Sequence, residues 1–94
     1  MVKANSKPDL VTSFSLAGFD WTVRLVEGLA DYGSCSPATQ EILIRAGMNE
    51  QTTQQTFMHE LVHAILFTLG KTDHNEEFTD SFGALLHQYE KTKA

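Results

Sequence analysis

Apolar and polar residues alternate near the start of the chain: Leu10, Phe14 and Leu16 hold even positions, with Thr12 between them. A period of two puts alternate side chains on opposite faces, so residues 10–16 predict a half-buried strand. Ala17-Gly18 marks a turn, after which Trp21, Val23 and Leu25 alternate with Thr22, Arg24 and Val26. That second strand, so close behind the first, predicts a hairpin. Residues 27–36 contain Gly28, Gly33 and several small polar side chains and read as loop. Gln-Glu-Ile-Leu-Ile-Arg at 40–45 has strong β propensity and predicts a third strand, ended by Gly47.

From Asn49 the period changes. Asn49 is an N-cap candidate, with Glu50 in the first turn, where a negative charge is favourable. Phe57, Leu61, Ile65 and Leu69 recur at fourfold spacing, and Met58, Val62 and Leu66 widen the stripe into that of a core helix. Gly70 is a natural stop. Phe78, Phe82, Leu85 and Tyr89 then predict a second helix from about Asn75 to Glu90. The expected fold is α+β, a three-stranded antiparallel sheet packed on two helices. Residues 1–9 read as a flexible tail and 10–94 as one domain, the size expected of a single 94-residue unit.

Composition narrows the function classes. Hydrophobic residues at 41% and charged residues at 20% fit a folded globular chain rather than a disordered one. Seven Lys and Arg against twelve Asp and Glu give a net charge of -5, which argues against nucleic acid or an anionic membrane as main partner. The longest nearly uncharged apolar stretch, Leu61 to Leu69, is about half of a bilayer span. The N-terminus lacks the apolar core and cleavage pattern of a signal peptide. Cys35 is the only cysteine, so no intrachain disulfide forms, and a reducing, cytoplasmic setting is expected.

The chemistry sits in His59-Glu60-Leu61-Val62-His63, inside the first predicted helix. Side chains at i and i+4 share a helix face, so two imidazoles can grip one Zn²⁺. Glu60 can reach a water in the open position of such a site and take its proton. Two His and a Glu in an apolar helix would cost several kcal/mol if buried unpaired, and a metal accounts for all three. A catalytic zinc usually has three protein ligands. Downstream candidates for the third are His74, Glu76, Glu77 and Asp80. Glu76, Thr79 and Gly83 share one face of the second helix, whose small residues allow a close approach to the first.

Asn75-Glu76-Glu77-Phe78-Thr79-Asp80-Ser81-Phe82-Gly83 resembles the glutamate helix of the gluzincins, the thermolysin-type zinc peptidases, with its Glu-x-x-small-Asp pattern. The order of elements is similar to minimal gluzincins and to small phage-encoded zincin-like proteins. The resemblance implies a minimal zincin fold, His59, His63 and Glu76 as Zn²⁺ ligands, Glu60 as general base and Asp80 as orienter of a ligand. It implies a metallopeptidase that hydrolyses peptide bonds of a peptide or protein substrate through a metal-activated water. It further implies that an edge strand pairs with the extended substrate, for which 40–45 is the candidate. His74-Asn75-Glu76-Glu77-Phe78 also resembles the third-ligand segment of SprT-like proteases, which would make His74 the ligand; Asn75 stands where that segment has Gly. Glu76 is preferred, with His74 and Asp80 as alternatives. The rival function is a non-catalytic zinc-binding phage or prophage accessory or regulatory protein on the same scaffold.

Overall fold

The computed structural model describes residues 10–94; the tail expected at 1–9 lies outside them. Four strands, β1 (Ser13–Leu16), β2 (Phe19–Val26), β3 (Gly33–Ser36) and β4 (Glu41–Arg45), precede two helices, α1 (Glu50–Thr68) and α2 (Glu76–Thr92). The sheet order is β1-β2-β4-β3. β1 and β2 form the expected antiparallel hairpin, turned at Ala17 and Gly18, both at positive φ. β2 and β4 run parallel, with Val23 beside Ile42 and Leu25 beside Ile44. β3 pairs antiparallel with β4 on its far side.

The fold is therefore α+β with two helices, as expected, but the sheet is four-stranded and mixed rather than three-stranded and antiparallel. Two physical facts account for the difference. The segment 27–36 is not all loop, because Gly33–Ser36 is a strand despite its poor β formers. That strand lies between β2 and β4 in sequence, so the chain reaches β4 already turned back parallel to β2. Arg45 holds the approach to β3: its Nε donates to the Leu29 carbonyl at 3.0 Å and its Nη2 to the Ala30 carbonyl. Its guanidinium also lies over the Tyr32 ring, 4.9 Å from the centroid.

One face of the sheet carries the core. Trp21 and Val23 of β2 and Ile42 and Ile44 of β4 are buried with Phe57 and Ala64 of α1. The period of two puts Thr22, Arg24 and Glu41 on the open face, where Arg24 Nε donates to Glu41 Oε2 at 2.8 Å. Cys35 and Gly33 pair with Ile42 and Ile44, so they share the helix-facing side.

Both helices begin on asparagine caps. Asn49 Oδ1 accepts from Thr52 N, and Asn75 Oδ1 from Phe78 N, each at 2.8 Å. α1 ends as Gly70 turns to φ 83, with Gly70 N donating to Phe67 O and Lys71 N to Leu66 O. α2 packs on α1 through buried Thr79 and Gly83.

Gly83 sets the distance between the helices. A Cβ there would lie 3.0 Å from both Cα and N of His59 and 3.2 Å from the Met58 carbonyl carbon, and backbone cannot swing aside. Gly83→Ala is expected to cost about 1–3 kcal/mol in overpacking, offset by about 1 kcal/mol of better helix propensity. The net loss is read as a lower urea midpoint. A variant as stable as the parent would show that the helices part freely.

Candidate metal centre

α1 places His59 and His63 one turn apart, with ring centroids 5.0 Å from each other. α2 begins directly opposite, because the Asn75 cap puts Glu76 in its first turn. Glu76 Oε1 lies 3.3 Å from His59 Nε2, and Oε2 lies 3.3 Å from His63 Nε2. One donor atom from each of His59, His63 and Glu76 falls within 4.8 Å of the others, so the three form a group that can hold a metal ion. Two imidazole nitrogens and a carboxylate are a donor set of the catalytic zinc type.

Asp80 lies one turn further along α2. Its Oδ1 is 3.3 Å from His59 Nδ1, on the opposite side of the ring from Glu76. A carboxylate only accepts, so with the His59 proton on Nδ1 Asp80 would hold it there and Nε2 would face Glu76 with its lone pair. His74 sits in the connection between the helices. Its Nδ1 lies 2.7 Å from His63 Nδ1 and its Nε2 2.6 Å from the Lys71 carbonyl, so both of its ring nitrogens are engaged, one by the far nitrogen of the His63 ring and one by backbone. The structure thus brings His59, His63 and Glu76 together and sets His74 and Asp80 behind the two imidazoles.

Glu60 points off α1 toward β3 and is only 7% exposed. Its carboxyl is pushed up from 4.5 to about 7, chiefly by burial; His59 opposes the rise, while Glu76 and Asp31 add to it. His63 is shifted below its ordinary value, first by burial and further by its neighbours His59 and His74, with Glu76 opposing. Cys35 faces the same hollow as Glu60, His59 and His63, and its thiol is pushed up to about 12 by burial and by the Glu60 charge. A thiol held protonated in this way is a poor nucleophile and a poor metal ligand.

The surface beside Glu60 differs from the sequence expectation. Residues 41–45 are an internal strand with neighbours on both sides, so 40–45 offers no free edge. The edge next to α1 is β3. At Gly33 a Cβ would meet Thr56 Cγ2 at 2.8 Å, Leu43 O at 3.1 Å and Glu60 Cγ at 3.2 Å. Only glycine lets this edge come so near to Glu60. A hollow on one side of Glu60 is lined by Tyr32, Thr52, Gln55 and Asp80, and one on the other by Cys35, His63, Asp73 and His74. Gly33 and the hydrogen-bonding role of His74 are what sequence reasoning missed. The signal for Gly33 was its place at the head of a run of small residues, at strand spacing from Cys35.

No helix among the described residues is long and apolar enough to cross a membrane. No protein-family model, curated protein or solved structure matches this chain.

Proposed function

We propose that this chain is a zinc-dependent metallopeptidase of gluzincin type, acting on a peptide or protein substrate. The observation that carries the proposal is the convergence of His59, His63 and Glu76 donor atoms within 4.8 Å of one another, beside a buried Glu60. Zn²⁺ bound there would acidify a water and polarise the scissile carbonyl. Glu60 accepts a proton on its carboxylate as the water oxygen bonds to the carbonyl carbon. It gives that proton to the amine nitrogen as the carbon–nitrogen bond breaks. Burial favours the protonated carboxyl of Glu60 in the metal-free protein, and a bound cation would draw it back toward the carboxylate that takes the proton. Asp80 keeps the His59 proton away from the ligand side. The free edge of β3, with Gly33 close above Glu60, is where an extended substrate would add as a strand.

The test is metal analysis joined to a peptide-library digest. The purified protein is expected to hold about one zinc per chain. Cleavage should stop on chelation and return with added Zn²⁺. A metal-free protein whose properties chelators leave unchanged would sink the metal centre. Zinc bound with no cleavage of any peptide or protein offered would leave the zinc-binding accessory role in its place.

A further inference from the structure

We propose that His74 is a positioning residue that holds the proton of His63 on Nδ1 and so keeps the His63 Nε2 lone pair open for a metal ion. The inference deepens the metal-centre reading and rests on it. It starts from the Lys71 carbonyl, which has only lone pairs to offer. His74 Nε2 lies 2.6 Å from that oxygen, so the His74 proton is on Nε2 and donates to it. With one proton on each ring, His74 Nδ1 is then an acceptor. The proton between His74 Nδ1 and His63 Nδ1, which are 2.7 Å apart, therefore belongs to His63. His63 Nε2 is left with its lone pair, directed to the side where Glu76 waits.

The alternative tautomer shows what is at stake. A proton on His63 Nε2 would point at Glu76 Oε2, 3.3 Å away, and would tie up two of the three donors in a hydrogen bond with each other. Glu76 therefore favours the closed arrangement, and something behind His63 must favour the open one. Asp80 performs that task for His59 with a carboxylate. Among the described residues no carboxylate is paired with His63 Nδ1; a second imidazole, itself anchored on backbone, takes that place.

The anchor is built into the end of α1. Gly70 at φ 83 closes the helix and Lys71 N is held by the Leu66 carbonyl at 2.9 Å, which ties down the residue whose carbonyl receives His74. The His74 ring lies between two side chains of the last turns of α1. It stacks on His63 with centroids 4.9 Å apart and an interplanar angle of 17°, and Phe67 packs against it at 4.3 Å. Orientation, tautomer and position are all set by the helix stop.

The experiment compares wild type, His74→Phe and His74→Asn. Phenylalanine keeps the ring packing and removes the acceptor; asparagine carries an oxygen near the place of Nδ1. The His63 tautomer is read by nitrogen-15 NMR of the metal-free protein, and zinc affinity by competition with a chromophoric chelator. Wild type is expected to show Nδ1–H at His63. His74→Phe should shift His63 to Nε2–H and weaken zinc binding about 10–100-fold, the usual range for a lost partner behind a ligand. His74→Asn should recover both. Nε2–H in wild type, or a Phe variant that binds zinc as tightly as the parent, overturns the role of His74. Nδ1–H in a wild type that takes up no zinc instead overturns the metal centre, and with it any ligand role for His63 to be positioned for.

Discussion

Glu60→Gln is expected to keep about one zinc per chain and to lose hydrolysis by about 10²–10⁴-fold, the usual contribution of a positioned acid–base group. The substitution preserves shape where shape matters. Glu60 is 7% exposed, with its Cγ against the position a Gly33 side chain would occupy, so a shorter residue would open a cavity and a larger one would push β3 away. Glutamine fills the same space but cannot take a proton at neutral pH. It also removes a buried carboxyl that burial already disfavours in its charged form. The folded variant should therefore be at least as stable as the parent in urea while its turnover collapses. Inactivity with full stability and full zinc content is the signature that separates a lost base from a damaged fold. A Gln variant that turns over at the parental rate would remove Glu60 from the mechanism.

What the sequence made legible follows the range of the interactions involved. The His59 and His63 pair needs only the geometry of one helix, and α1 is specified by its own stripe, its Asn49 cap and its Gly70 stop. The β1–β2 hairpin is equally local. β3 was not legible: Gly-Ser-Cys-Ser has no β-branched or aromatic residue, and Gly33 reads as a break when it is in fact the point where a strand edge passes close to Thr56 and Glu60. The parallel pairing of β2 with β4 depends on β3 taking the edge, so missing one strand also reversed the expected sheet direction. The third donor lay between these extremes. A straight hairpin of helices would set Asp80 at the level of the histidines and Glu76 beyond it. The Asn75 cap and the bent connection through His74 instead put both carboxylates on His59, Glu76 at Nε2 and Asp80 at Nδ1, one on each side of the ring.

Glu76→Ala is expected to abolish zinc-dependent stabilisation while leaving the metal-free protein almost unchanged. The Glu76 side chain is 71% exposed, so it contributes little to the core, and alanine is well tolerated in the first turn of α2. In the parent, a ligand that binds only the folded state adds RT ln(1 + [L]/Kd), about 4 kcal/mol at a thousand times Kd. For a domain of this size each kcal/mol raises the melting temperature by about 4–8 °C, so the zinc-induced shift is large and easily read. Without Glu76 two imidazoles remain, one short of the set a catalytic zinc uses, and the shift should vanish. Asp80→Asn is the control. Its carboxamide oxygen still accepts from His59 Nδ1, so it should retain most of the shift, with affinity lower by no more than about 10–100-fold. A Glu76→Ala protein that gains as much from zinc as the parent would remove Glu76 from the donor set. If Asp80→Asn then lost the shift, the metal would sit one turn further along α2, with Asp80 as its carboxylate.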